Sequence, residues 1–159
     1  MKKHTTNGLR WLFALLFLTT AVGKLLDNRG FATVLETYQL FPSFGLLPLA
    51  LFISLAELIL GLWFSSGKYL THAAWTSVVV NSGYALLAVV TNLRGLILPN
   101  CGCFGVFLPR AMTWGTVAED FFLVGLGIGL ARLTASNRAI SASSEPKIAW
   151  ETPKIAARQ

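Results

Sequence analysis

The chain carries two cysteines, Cys101 and Cys103, one residue apart in the stretch PNCGCFGVF, residues 99–107. A pair so close cannot staple distant parts of a fold. It can close a very small ring, whose Cα atoms lie near the lower limit of ordinary disulfide spacing, and such a ring stores strain. Strain makes the bond easier to reduce, and labile disulfides are the catalytic and regulatory ones. Gly102 has no Cβ, so the backbone between the thiols bends as the ring demands, and Gly105 frees the following turn. Pro99 and Pro109 bracket the loop. Arg94 and Arg110 raise the thiolate fraction if the loop folds them close. Reversible thiol–disulfide exchange is the leading chemistry, with a potential above about −300 mV, the level below which structural disulfides lie. Two readings compete. Free cysteines also serve as inert packing in apolar surroundings. A metal site needs about four ligands, and both histidines, His4 and His72, fall on the opposite predicted face; no metal is expected.

A second kind of chemistry resides in Glu57. It falls well inside an apolar run, and a carboxylate inside a bilayer is costly enough to count as a functional-site hypothesis by default. Asn81 and Lys24 are its candidate partners. A structural ion pair that fixes helix register competes with proton relay or quinone contact. Glu119 and Asp120 stand nearer the outer surface, where solvation or a pair with Arg110 is expected rather than catalysis.

The elements that must position these groups are helices in lipid. Of 159 residues, 54% are hydrophobic and only 13% charged, against roughly 25% charged in soluble domains, and mean hydropathy is +0.61. A bilayer helix takes about 20 mostly apolar residues. Four runs meet that need, over about 9–26, 46–64, 72–93 and 114–133. The first runs between Arg10 and Lys24, whose side chains can snorkel; a cleaved signal peptide ending near AVG (21–23) is its alternative. Residues 135–159, rich in Ser, Ala, Pro and charge, predict a disordered tail. Net charge is +6, yet no basic patch has room to form on a soluble face, so nucleic acid is not expected. The expected fold is an all-α integral membrane protein, a four-transmembrane-helix bundle in a bacterial inner membrane. Lys and Arg divide nine to four between its two sides, which places both termini in the cytoplasm and the 27–45 and 94–113 loops outside. The cysteines then face an oxidising compartment. Gly125 with Gly129, and Gly127 with Ala131, are small-residue pairs suited to helix packing or a homodimer face. Trp11, Tyr38, Phe107 and Trp114 are placed as interfacial anchors.

Four segments in this order, AVGKLLD (21–27), VLETYQLFP (34–42), LAELILGLW (55–63) and above all NCGCFG (100–105), resemble the methylamine utilisation protein MauE family, within the wider DoxX-like membrane proteins. The resemblance covers about 9–134. It implies a four-helix membrane protein that supports maturation of a periplasmic, disulfide-rich protein beside a thioredoxin-like partner, with Cys101 and Cys103 as the redox pair and Lys24 and Glu57 as motif positions. The chain has one cysteine pair, where disulfide generators of the DsbB and vitamin K epoxide reductase types use more than one. The single pair must either do the work of both in turn or rely on its partner's cysteines. A membrane thiol–disulfide exchange component is the first reading; no cofactor is firmly implied, and quinone is the candidate electron sink because a membrane relay needs one. A non-enzymatic assembly factor and a small transporter with Glu57 in its pathway are the others.

Overall fold

A computed structural model describes residues 2–144. Five helices run in chain order: α1 Lys2–Leu26, α2 Asn28–Thr37, α3 Leu46–Ser66, α4 Leu70–Leu93 and α5 Trp114–Ser144, with a single 3-10 turn at Ser43–Gly45 before α3. No strand occurs among the described residues. Three segments are long and apolar enough to cross a membrane: His4–Leu26, Ser43–Ser66 and Leu70–Leu93. The expected fourth, 114–133, is not among them. It lies in α5, which carries Glu119, Asp120 and Arg132. Instead of ending near 133, the helix continues through 135–144, where a disordered tail was expected; residues 145–159 lie outside the described residues.

Local chemistry sets the breaks. Asp27 ends α1 and caps α2, its Oδ1 accepting the Gly30 N–H at 2.8 Å; an aspartate at this position satisfies one of the orphan donors of a helix start. The 27–45 segment is thus not a simple loop. Its helix turns Phe31, Ala32 and Leu35 inward as one apolar stripe. Gly67, at φ +68°, closes α3 in the left-handed conformation that glycine takes without strain, and α4 starts three residues later.

The helices pack as two pairs, α1 on α3 and α4 on α5, and all four helices contribute to a core at one end. There Phe13, Phe17 and Phe64 stack at ring separations of 5.3–6.3 Å, beside Leu60, Ala73, Leu130 and Ala131. Phe13, Ala14 and Phe17 of α1 thus form part of this core. Gly127 sits against Ser77 and Val78 of α4, and Ala131 is buried, whereas Gly125 and Gly129 face open space. Only one of the two small-residue pairs packs within the chain. The opposite end of the bundle holds the cysteine loop, in a cluster with Tyr38, Ala88, Leu98 and Met112.

Candidate functional site

The cysteine loop is a closed turn. Two backbone bonds seal it, Cys101 N–H to the Arg110 carbonyl at 2.7 Å and Met112 N–H to the Leu98 carbonyl at 2.9 Å. Asn100 shapes its tip: Oδ1 accepts the Gly102 N–H at 2.9 Å while Nδ2 donates to the Gly105 carbonyl at 3.1 Å. Gly102 and Gly105 both take positive φ, +73° and +72°, which side chains with a Cβ resist. Close approach excludes a side chain as well. A Cβ on Gly102 would meet Phe31 and Val34 of α2 at 3.0 Å, and one on Gly105 would strike the Gly23 carbonyl of α1. From the other side, a Cβ on Gly23 would lie 2.5 Å from the Phe104 carbonyl. The loop therefore sits directly on the backbone of α1, one residue from Lys24.

Within it, Cys101 and Cys103 are free thiols with Sγ atoms 2.7 Å apart. Cys101 is buried and Cys103 half-buried. The hydrogen bond shared with Cys103 lowers the Cys101 pKa to about 6; the Cys103 N–H and the Arg110 charge assist, against the opposing effect of burial. Cys103 moves the other way, because of the hydrogen bond it shares with Cys101 and, next, its partial burial. Arg94, the other candidate activator, instead donates to the Tyr38 carbonyl at 2.8 Å. Tyr38 in turn donates its hydroxyl to the Cys101 carbonyl at 2.6 Å. Burial first, then the nearby cysteines, raise the pKa of that phenol, so it stays a donor. Expected as an interfacial anchor, Tyr38 is buried and holds the cysteine backbone in place; Trp11, Phe107 and Trp114 are exposed.

A cavity of about 200 Å³ runs inward from the thiols. Lys24, Glu57, Asn81 and Tyr84 line its deeper wall. Lys24 and Glu57, each 3% exposed at the side chain, form an ion pair at 2.5 Å that ties α1 to α3. Tyr84 donates to the same oxygen, Glu57 Oε1, at 2.5 Å, and the Lys24 ammonium lies 5.2 Å and 5.3 Å from the rings of Phe31 and Tyr84. Of the two partners expected for Glu57, Lys24 makes the contact. Asn81 faces the same cavity but donates to the Ser77 carbonyl of its own helix; Tyr84, one turn further on, takes the place expected of it. Glu57 Oε2 is buried with no hydrogen-bond partner. Arg110 and Glu119 pair at the surface at 2.8 Å. No cluster of metal-ligating side chains occurs among the described residues.

The structure thus gathers Cys101, Gly102, Cys103, Lys24, Glu57 and Asn81 around one cavity, with Gly105 in the adjoining turn against Gly23. Sequence reasoning missed Tyr38, Tyr84, Phe31 and Asn100. A signal existed for two: Asn100 directly precedes Cys-Gly, where an Asx turn forms readily, and Tyr84 lies on the Asn81 face of α4.

The model of the family described as methylamine utilisation protein MauE matches residues 2–132. The chain belongs to the MauE family. Two curated members are similar over most of their length. The methylamine utilization protein MauE of Paracoccus versutus is 28% identical over 131 residues, 82% of this chain and 70% of that protein. Its counterpart in Paracoccus denitrificans is 26% identical over 124 residues, 78% and 67% respectively. No solved structure gives a significant match. MauE membership and three apolar helices of bilayer length make this a multi-pass membrane protein. The match takes in every cavity group named above, from Lys24 to Arg110.

Proposed function

We propose that this chain is the membrane component of a thiol–disulfide exchange pathway that serves a protein outside the inner membrane, in methylamine utilisation. Similarity to the two Paracoccus proteins of that name supports the setting. The observation that carries the chemistry is a pair of free thiols with Sγ atoms 2.7 Å apart, of which Cys103 is the more exposed and Cys101 the one whose pKa is lowered. In the oxidised chain, a partner thiolate attacks the accessible Cys103 sulfur. The Cys101–Cys103 bond breaks and Cys101 leaves as the thiolate, since the sulfur of lower pKa is the better leaving group. A second partner thiol then attacks the partner's own sulfur in the mixed disulfide, and Cys103 leaves reduced. The partner loses two electrons and this chain gains them. A thioredoxin-like protein of the outer compartment fits that dithiol role.

In this proposal α5 is a fourth span, both termini are cytoplasmic and the cysteine loop faces outward. Support comes from α5 returning along α4 to the N-terminal end, where Thr71 donates to Thr134 at 3.0 Å and Leu130 joins the Phe13–Phe64 core.

The test uses glutathione disulfide as the single-thiol probe on reduced, detergent-solubilised protein. Cys101→Ser, which lacks the resolving thiol, accumulates a stable glutathione adduct on Cys103, read by intact mass. The wild type releases glutathione and forms an internal disulfide. Failure of both proteins to react, with client maturation surviving replacement of both cysteines by serine, would leave a non-enzymatic assembly factor as the function.

A further inference from the structure

The weak seam between the two helix pairs opens a second space. A cleft of about 580 Å³ lies between α3 and α4. Its walls are apolar, and Phe41, Phe52 and Leu86 at its edges are 45–70% exposed, as side chains facing lipid are. Two residues of its inner end are polar, Glu57 and Tyr84, and both also line the cavity that holds the thiols. The cleft therefore leads from the lipid-facing surface to the cysteine site, with Glu57 between them.

Glu57 makes the cleft more than an apolar face. Its Oε1 is fully engaged by Lys24 and Tyr84, but its Oε2 is buried without a partner. A buried carboxylate oxygen left unpaired is costly, and a ligand O–H at this point would relieve the cost. The occupant must then combine a long apolar body with a small uncharged head bearing a hydroxyl. A phospholipid does not fit, because its charged headgroup stays at the interface while Glu57 lies midway along α3. A fatty acid does not fit, because its carboxylate would face another. The head must also belong beside a dithiol.

We propose that the α3–α4 cleft binds an isoprenoid quinone, with its ring between Glu57 and the cysteine pair and its chain leaving toward lipid. The cleft and Glu57 alone call for an apolar ligand with a hydroxyl-bearing head; the choice of a quinone and its redox step rest on the exchange function proposed above. In that step the two thiols lose two electrons and two protons as the S–S bond forms. The quinone takes up both electrons and both protons as its two carbonyl oxygens become hydroxyls. Glu57 Oε2 accepts a hydrogen bond from one hydroxyl of the quinol, and Lys24, with N–H donors beyond the one it gives Glu57, stands ready for a ring carbonyl.

Gly83 supplies a probe that spares the fold. It lines the cleft, and a Cβ there meets nothing within 4 Å. Gly83→Leu fills the cleft and raises helix propensity. Gly125→Leu, on an α5 face that is equally open, is the control. Reduced protein is mixed with decylubiquinone, and quinol formation and thiol loss are followed together. The wild type and Gly125→Leu form one quinol for each pair of thiols lost. In Gly83→Leu and Glu57→Gln the rate with decylubiquinone, relative to the rate with glutathione disulfide, falls at least tenfold. An unchanged ratio in Gly83→Leu overturns the site; a wild type that reacts with glutathione disulfide but yields no quinol overturns the redox step. Binding is read separately by tryptophan quenching in Cys101→Ser/Cys103→Ser protein. Saturable binding weakened about tenfold by Gly83→Leu upholds the site even if thiol exchange fails. Absent binding, or binding indifferent to Gly83→Leu, overturns it, and leaves an acyl chain or detergent as the occupant.

Discussion

Cys101 and Cys103 are the same side chain two positions apart, and their surroundings make them unequal. The bond to Cys103 is the largest influence that lowers the Cys101 pKa, ahead of Arg110, which is itself half-exposed and paired to Glu119, so that water screens its charge. A lowered pKa means that the anion persists at neutral pH and is lost only as pH falls through about 6. In the reduced protein, thiolate absorbance is therefore expected to rise with a midpoint near 6. Cys103→Ala moves that midpoint up further than Arg110→Ala does. A wild-type midpoint near the ordinary thiol value of about 8.5 would show the two sulfurs to be equivalent. A second inequality concerns Lys24 and Glu57. Their pair is buried, and removing one charge leaves the other uncompensated at a cost of about 3–5 kcal/mol. Lys24→Met and Glu57→Gln should each destabilise the solubilised protein to that extent. The double variant should recover much of the loss, because no buried charge is left. Strict additivity in the double-mutant cycle would mean that the two charges do not interact.

At the scale of the element, the site is made by a turn pressed against a helix. NCGCFG and AVGKLLD read as separate motifs along the chain, and the structure shows why they occur together: Gly105 of one meets Gly23 of the other, beside Lys24. Gly105→Ala asks a residue with a Cβ to hold φ +72° at about 1–2 kcal/mol, and adds a clash with the Gly23 carbonyl. The expected outcome is a loop lifted off α1, with both thiols reacting faster with a bulky maleimide while helix content by circular dichroism is kept. Slow labelling equal to wild type would mean that the loop tolerates the Cβ. Much of this architecture was legible in the sequence. Lipid demands continuous apolar helices that satisfy their own backbone, so α1, α3 and α4 stand out as runs, and an intramembrane carboxylate pointed to Glu57 and, through it, to Lys24. What was illegible depended on burial by other elements. α2 is short and amphipathic, and only the Asp27 cap and the spacing of Phe31, Ala32 and Leu35 announce it. Tyr38 follows α2 near a span boundary, where tyrosines anchor at interfaces; that it turns inward to Cys101 depends on a loop 63 residues away.

Over the whole molecule, two helix pairs meet at the Phe13–Phe64 core and again where Tyr84 of α4 bonds Glu57 of α3. The Tyr38–Cys101 bond joins the 27–45 and 94–113 segments, which places both at one end of the bundle. Arg10, reaching the Ser65 carbonyl at 3.5 Å, and Thr134, bonded to Thr71, mark the other. Basic residues favour the cytoplasmic side, and their nine-to-four division is the ground on which the function proposed above puts the cysteine end outside. In a background without the native cysteines, single thiols at two exposed positions test this. Phe44→Cys lies at the cysteine end, where Phe44 is 90% exposed, and Tyr69→Cys lies at the other, where Tyr69 is 69% exposed. A membrane-impermeant maleimide should label Phe44→Cys in intact cells and Tyr69→Cys only after the cells are opened. Alkaline phosphatase fused after the last residue should stay inactive if, as proposed, α5 carries the chain back to the cytoplasm. The reverse labelling pattern would invert the orientation and put the thiols in a reducing compartment, where an exchange partner outside the membrane could not meet them. An active fusion with the expected labelling would instead leave three spans, with α5 lying against the bundle without crossing.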